Sequence, residues 1–552
     1  MRKYFSNVLL VLIFLSSFLL LIFASKMDSV TTDEGVHLFA GFTYLTQRDF
    51  RLDPEHPPFL KELAAFPLLF QKKLNYQLGS LWDKAGNFYY DSWHEARALG
   101  DYLVSQNSEK VIFWGRFPFI ILTLILGAFG YFWANKLYGK KAGIFTAFLI
   151  LFFPNILAHG HLINTDLGLT LFFLVAVYFW EKFLKVPNFL NGVLSGLFLG
   201  LVLASKYTGI IIIPIFIILA IIKMILEKNW ANWLKYFVGF IASGLIAYLI
   251  ILAIYGFSLQ APPIITQGLG AEINAYANYT APNTFDTFYP SIRSFLIPAD
   301  FFKGLVMVLI HAGGGHSSYL LGHTSGTGWW YYFPVAIFFK TPISVFILLI
   351  LSIIFFRKIK AKNIFDEYLL IIPPVVFLLF AMASKADLGI RHILPIFPFI
   401  FIFIAKTINL VDFKKWGWTA IGLILLIGWY LFSTLMSFPN YLAYFNEFAG
   451  GSKGGYKILT DSNLDWGQDV FRIKDYIDKN NIQKPYMVYG WDGNDYLKKQ
   501  GIIDYIDLAP NDKNIQGDVI ISASSLVGTD YNWLEKYPRT QITPGVFLVR
   551  ID

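Results

Sequence analysis

Cysteine is absent from the 552 residues. That excludes a disulfide framework and a thiolate-bound metal, so any part of the molecule outside a membrane holds together by packing and hydrogen bonding. Charge is scarce too: Asp, Glu, Lys and Arg make up 15% of the chain, against 56% hydrophobic and 18% aromatic residues. An ordinary soluble protein carries about 25% charged residues, so lipid must be much of this chain's solvent. Internal repeats and low-complexity tracts are missing as well, which removes the solenoids. The formal charge of +8 invites a nucleic-acid reading. Yet Lys and Arg fall in short clusters between apolar runs, where anchoring at a membrane face explains them, and no nucleic-acid partner is expected.

Apolar windows long enough to cross a bilayer, some only with tilt, centre near residues 16, 121, 150, 175, 197, 216, 246, 344, 375, 400 and 427. They predict a polytopic α-helical membrane protein with about eleven transmembrane helices. The first run, 8–24 behind Arg2 and Lys3, has the charge order of a signal peptide. It nevertheless approaches the ~20 residues of a crossing and no small-x-small cleavage site follows it, so a retained helix is expected. Lys136, Lys140 and Lys141 share one gap between spans, Lys182 and Lys185 the next of the basic kind, then Lys223, Lys228 and Lys235, then Arg357, Lys358, Lys360 and Lys362, then Lys406, Lys414 and Lys415. These are alternate connections, and the positive-inside rule places them and the N-terminus in the cytoplasm. The other set then faces out: 25–108, 159–166, 205–209, 258–330, 384–392 and everything after about 438. From that point the composition becomes soluble. Strand-like runs at 486–489, 519–522 and 546–551, with a helical pattern over 470–479, predict a membrane module of residues 1–437 followed by a small extracytoplasmic α/β domain of residues 438–552.

The outward set carries the unusual residues. Thr31-Thr32-Asp33-Glu34-Gly35-Val36-His37 opens like a capped helix, with Val36, Phe39, Ala40 and Thr43 at helical spacing, and predicts an amphipathic helix at the membrane surface. Neighbours on a helix point about 100° apart, so Asp33 and Glu34 cannot share one task, whereas Asp33 and His37 share a face. The plain alternative is that two acids merely complement a helix N-terminus. Asp53-Pro54-Glu55-His56-Pro57-Pro58-Phe59-Leu60-Lys61 follows, a rigid turn holding Glu55 and His56 ahead of a second surface helix that buries Leu60, Leu63, Ala64 and Pro67. The next outward turn contains His159, His161 and Asp166. Ionisable groups between spans are costly without a partner or a task. Imidazole and carboxylate suit zinc or manganese, but His-x-His is not an i, i+4 pair and no further ligand cluster stands out. No metal or other cofactor is therefore expected, and Asp166 reads as a second carboxylate brought near Asp33 by helix packing.

Cations stand at the outer ends of other helices: Arg116, Lys206 and the Arg391-His392 pair within Leu388-Gly389-Ile390-Arg391-His392-Ile393-Leu394-Pro395. Each alone could snorkel to headgroups. Together they could cradle an anionic headgroup, the guanidinium fork suiting phosphate. In the tail, Asp461-Ser462-Asn463-Leu464-Asp465-Trp466-Gly467-Gln468-Asp469 is similar to the start of a calcium loop, but its glycine is displaced and Arg472 stands where a bidentate Glu belongs. It reads as a turn and a helix cap.

The Asp-Glu pair after the first span, the His-Pro-Pro turn, the acid in a His-rich outward turn and the Gly-Ile-Arg-His-x-Leu-Pro segment together resemble the GT-C glycosyltransferases related to protein O-mannosyltransferases and aminoarabinose transferases, over roughly residues 1–440. The resemblance implies a GT-C-like fold and a sugar donor linked to polyprenyl phosphate, with mannose, another hexose or a pentose left open and no metal needed. It implies Asp33 as catalytic base, with Glu34 and Asp166 as the accompanying catalytic acids. His37, Glu55, His56, Lys61, Arg116, His159, His161, Lys206, Arg391 and His392 are the expected substrate-binding set. The expected partners are the lipid-linked sugar, membrane lipid and an acceptor glycan, lipid or protein. The tail is not the β-trefoil of eukaryotic protein mannosyltransferases, so the resemblance does not single out a protein as the acceptor. Two other classes compete: a lipid-linked sugar flippase, which would place its charges near the bilayer midplane in repeated halves, and an anchored wall-polymer-binding protein, which leaves the loop acids without a task.

Overall fold

The computed structural model describes residues 2–71, 73–84, 91–257, 298–411, 417–489 and 494–551. Among them, eight helices are long and apolar enough to cross a membrane: Tyr4–Met27, Lys110–Tyr138, Thr165–Lys185, Tyr207–Glu227, Trp230–Ile254, Ile364–Ala383, Ile390–Leu410 and Trp418–Met436. Two bent pairs are apolar enough to bring the candidate spans to ten if each crosses as one unit, Lys140–Leu151 with Pro154–Gly160 at 61° and Tyr332–Lys340 with Ile343–Ile354 at 105°. Pro154 and Pro342 stand at the two breaks, where a residue without an N–H cannot continue the ladder. The span expected near residue 197 is the 17-residue helix Phe189–Ser205. It rises about 25 Å, short of the ~30 Å hydrocarbon core. Every apolar window read from the sequence coincides with one of these helices, and the chain is a multi-pass membrane protein. Of the residues expected to mark the loops, Lys414 and Lys415 and the stretch 258–297 lie outside the described residues.

The helices are not equally enclosed. Thr165–Lys185 and Ile390–Leu410 are each 83% buried, whereas Tyr4–Met27, Trp230–Ile254 and Trp418–Met436 are 28% buried. The first two are therefore the centre of the bundle and the last three its lipid-facing rim. Asp166 and Arg391 are each the second residue of a central helix, so the most enclosed helices carry these charges.

The first loop departs from expectation. Its helix Glu34–Gln47 does not lie half-exposed on a surface: every residue from Glu34 to Tyr44 is buried. Pro58–Ala65 and Asp91–Gln106 close around it, at contacts that only glycine allows. A Cβ on Gly41 would lie 1.9 Å from the Lys61 carbonyl oxygen, and one on Gly100 would lie 2.4 Å from the carbonyl of Gly35. The second helix buries Leu60 and Ala64 as expected, and Lys61 with them.

Past residue 438 the chain forms a five-stranded mixed sheet in the order β4-β3-β5-β7-β6, with β3 at Tyr486–Val488, β4 at Ile506–Asp507, β5 at Gly517–Ser522, β6 at Arg539–Thr543 and β7 at Val546–Ile551. A separate hairpin pairs β1, Ser318–Leu320, with β2, His323–Ser325. The strands β3, β5 and β7 and the helix Val470–Asn480 fall on the runs read from the sequence. In β7, buried Val546, Phe547, Leu548 and Val549 run consecutively, as in a strand covered on both faces. The domain is fastened to the membrane module: Thr32 N–H donates to the Trp466 carbonyl at 2.9 Å, Ser29 N–H to that of Gln468 at 3.0 Å, and Arg472 Nη2 to Asp28 Oδ1 at 2.6 Å.

Candidate functional site

The structure separates the expected residues into two groups. Glu34 and Arg116 belong to the first. Arg116 Nε and Nη2 grip Glu34 Oε1 and Oε2 at 2.7 and 2.6 Å, while its remaining protons go to the carbonyls of Ser25, Asp28 and Ser29 at 2.6 to 2.8 Å. Glu34 also accepts from Thr31 N–H and Ile163 N–H, both at 2.9 Å. All five guanidinium donors are used, and both residues are essentially inaccessible. Arg116 therefore cannot offer a fork to a phosphate, and Glu34 has no lone pair left for an acceptor. The pair fixes the first loop to the second span.

Lys61 and His37 form a similar lock. Lys61 Nζ donates to the Asp53 carbonyl at 2.6 Å and to the Tyr44 hydroxyl at 2.8 Å, and lies 3.3 Å from Asp53 Oδ2. His37 Nδ1 meets the same carboxylate at 2.9 Å. The Lys61 ammonium and the His37 imidazole hold Asp53 well below the usual carboxylate range in spite of its burial. Lys61 is thus engaged within the first loop. His161 is likewise occupied, its ring nitrogens 2.7 Å from the Leu157 carbonyl and 2.9 Å from Asp28 Oδ2.

The second group is less fully bonded. Asn164 caps the helix Thr165–Lys185, its side chain accepting from Asp166 and Leu167 N–H, which places Asp166 at the helix mouth. Lys206 donates to Asp166 Oδ1 at 2.5 Å. Arg391 Nη1 is 3.5 Å from Asp166 Oδ2 and 3.4 Å from Asp33 Oδ2. Those two contacts are too long to be good charge-assisted bonds. Asp166 Oδ2, though enclosed, has no hydrogen-bond partner. Asp33 precedes the helix Glu34–Gln47 without capping it, and its side chain keeps 17% of its surface open. Two carboxylates and two cations thus meet at one end of the bundle, brought from the first loop, two central spans and the turn at Lys206.

Histidines border this cluster. His56 Nδ1, His159 Nδ1 and His392 Nε2 are enclosed and unpartnered. Burial pushes His56 well below the usual imidazole range, and His37, Lys206 and Lys61 push the same way against Asp53; a neutral ring there can donate or accept. His159 lies edge-on to Trp466 at 6.2 Å. Among the described residues, no three His, Cys, Asp or Glu side chains are grouped as a metal ion would require. Glu55 stands apart from the four charges, 3.7 Å from His311, whose proton affinity it raises.

Sequence reading missed the tail's contribution. Arg391 Nε donates to Ser462 Oγ at 3.1 Å, and its guanidinium lies 4.2 Å from the Trp466 ring centroid. Asn463 Oδ1 accepts from Ile390 N–H at 2.9 Å. The stretch read as a turn and cap does hold a 3₁₀ turn, Asp461–Asn463, and runs into a helix at Val470. However, Asp469 spends its carboxylate on Thr543 and Arg472 rather than on the helix end. The signal was its density of acids and amides, too many for a plain turn.

A family model described as dolichyl-phosphate-mannose-protein mannosyltransferase matches residues 102–255, a stretch that holds Asp166 and Lys206 but neither Asp33 nor Arg391. ArnT from Cupriavidus metallidurans bound to undecaprenyl phosphate is similar at a TM-score of 0.51, with 11% identity over 98% of this chain and 97% of that one. The chain has the GT-C fold. ArnT in its apo state is similar at 0.50, with 12% identity over the same shares. The Pmt1-Pmt2 protein O-mannosyltransferase complex of S. cerevisiae bound to the sugar donor is similar at 0.49, with 12% identity over 92% of this chain and 95% of that one. No curated protein sequence matches the chain. The GT-C likeness read from Asp33-Glu34, the His-Pro-Pro turn and the Arg391 segment is borne out, together with the helical membrane class and the C-terminal sheet.

Proposed function

We propose that this GT-C protein transfers a sugar from a polyprenyl-phosphate carrier to an acceptor hydroxyl on the extracytoplasmic face, by one inverting displacement without a metal. The observation that carries the reading is the slack in one cluster: Asp33 partly open, Arg391 loosely held between two carboxylates, and Lys206 beside it. The ArnT of similar fold was solved with undecaprenyl phosphate, which supports a lipid phosphate as ligand.

The acceptor oxygen attacks the anomeric carbon as the carbon–oxygen bond to phosphate breaks, and the bonding electron pair leaves with the phosphate. Asp33 takes the hydroxyl proton as the new bond forms. Arg391 and Lys206 meet the charge growing on the phosphate, in a site already poor in water. Asp166 holds Lys206 in place until then. His56, His159 and His392 offer their unpartnered ring nitrogens to sugar hydroxyls. The N-terminus and the basic loops are cytoplasmic in this reading, and the tail domain is outside. Reporter fusions after Lys141 and Lys362 should therefore read cytoplasmic, and fusions after Asp166 and Asp552 external.

The test is a transfer assay with purified protein in nanodiscs, offered polyprenyl-phosphate sugars in turn, beside mass spectrometry of envelope glycans and glycoproteins from a deletion strain. Release of free polyprenyl phosphate, unchanged by EDTA, is the expected result. If no donor is consumed and no glycan is lost from the deletion strain, the reading fails; inhibition by EDTA reversed by a divalent ion would overturn its metal independence.

A further inference from the structure

The base and the phosphate-binding arginine come from segments 358 residues apart in sequence, and the 3.4 and 3.5 Å contacts between Arg391 and its two acids are too long to fix its aim. Something else must. Trp466 touches both segments with opposite ends of one residue. Its carbonyl accepts from Thr32 N–H at 2.9 Å and from the Thr32 hydroxyl at 3.2 Å, so it holds the residue just before Asp33. Its ring lies 4.2 Å from the Arg391 guanidinium, within cation–π range. We propose that Trp466 is a positioning residue that sets the aim of Arg391 and its spacing from Asp33, so that the tail domain completes the active site. The proposal rests on the sugar-transfer reading above.

Trp466 is itself well held. Its backbone N–H donates at 2.7 Å to Oε1 of Gln468, whose Nε2 donates in turn to the Leu464 carbonyl at 3.0 Å. The following Gly467 adopts φ +94°, a left-handed conformation that glycine takes without strain, and its carbonyl accepts from Ser29 Oγ at 2.8 Å. Ser462, on the same stretch, accepts from Arg391 Nε while its own proton goes to the Leu388 carbonyl, so its lone pair faces the arginine. Indole face and hydroxyl thus restrain the guanidinium from two sides and leave its Nη edge toward Asp33 and Asp166. Without them, Arg391 would settle onto one carboxylate at ordinary ion-pair distance, quenching that acid and withdrawing the fork from a phosphate.

The experiment titrates the full chain in nanodiscs with undecaprenyl phosphate and measures turnover alongside. Trp466→Leu should weaken the lipid phosphate by about 3- to 30-fold, the span of a cation–π contact, and lower kcat with the acceptor KM unchanged. Trp466→Phe, which keeps a ring face, should recover most of the loss. In an Arg391→Ala background, adding Trp466→Leu should change binding by less than about twofold, because the two act as a unit. Wild-type binding by Trp466→Leu, or a loss that adds in full on top of Arg391→Ala, overturns the proposal. Should Trp466→Leu fail to fold, Ser462→Ala decides by the same cycle: a loss of about threefold that vanishes without Arg391 supports it, and no loss overturns it. A wild-type chain that does not bind undecaprenyl phosphate brings down the functional reading and this proposal with it, whereas a binding wild type with an indifferent Trp466 brings down this proposal alone.

Discussion

Asp33 and Glu34 are neighbours in sequence, each faces an arginine, and their surroundings differ in almost every respect. Glu34 and Arg116 share a two-pronged grip with contacts of 2.6 and 2.7 Å, and every donor of that arginine is used. Asp33 and Arg391 meet once, at 3.4 Å, with the acid partly open. A saturated pair has already spent its hydrogen-bonding capacity on the fold, and removing one partner leaves a buried charge alone. An unsaturated pair keeps capacity for something that arrives later. Within this one loop, the degree of saturation separates what builds the site from what the site uses.

The widest effect that comparison predicts is on chemistry. Asp33→Asn keeps the shape and removes the base, so turnover should fall by ~10²- to 10⁴-fold while expression and undecaprenyl-phosphate binding persist; near-normal turnover of the purified variant would break the comparison at its functional end. Glu34→Gln should act on folding instead. Losing half of a buried ion pair costs about 3 to 5 kcal/mol, to be seen as a lowered thermal midpoint in detergent and a poor yield. A stable but inactive Glu34→Gln protein would return Glu34 to the catalytic set. Third comes binding: Arg391→Ala or Lys206→Ala should weaken undecaprenyl phosphate by about 10- to 100-fold, as for a charge-assisted bond of ~1.5 to 3 kcal/mol, with Arg391→Lys recovering part. Arg116→Ala, if it can be purified, should bind normally once folded. If both Arg391→Ala and Lys206→Ala bind as wild type, the phosphate site lies elsewhere.

The last effect concerns the tail that backs Arg391. Burial, with the Asp469 carboxylate nearby, pushes Asp465 up to about 7, well above the ~4 of an unfolded aspartate. Between those values the folded chain keeps a proton that the unfolded chain has released. Stability from this group is therefore full below about pH 4, falls as pH rises to 7 by at most ~1.4 kcal/mol per unit, and then levels off. Thermal midpoints of the wild type and Asp465→Asn, followed from pH 4 to 8, should differ in slope over that window alone. Parallel curves would mean that Asp465 is ionised throughout.

The sequence made the helices legible because hydropathy and length are local properties. It also brought out Asp166, Lys206 and Arg391, since charges at the ends of apolar runs stand out against their surroundings. Saturation is not local. The partner of Glu34 lies 82 residues away and that of Lys61 lies partly on a helix before it, so Arg116 and Lys61 looked as available as Arg391. The residues 461–469 were harder still: their role depends on a stretch that returns to the membrane module after all of its membrane helices, and no spacing within the motif points to Thr32 or Arg391. The surface helix was misjudged for a related reason, because Gly35 and Gly41 read as neutral positions until the helices that touch them are in place.

Those two glycines have a mechanical consequence. The helix that follows Asp33 meets one neighbour backbone to backbone where Gly100 lies against Gly35 and another at Gly41, and neither Gly100 nor Gly41 has room for even a methyl group. Two such points, six residues apart, fix a line against which the helix can neither roll nor slide without collision. Any closing movement in a catalytic cycle must therefore be made by the opposite wall, by the long side chains of Lys206 and Arg391, while the base stays where the glycines hold it.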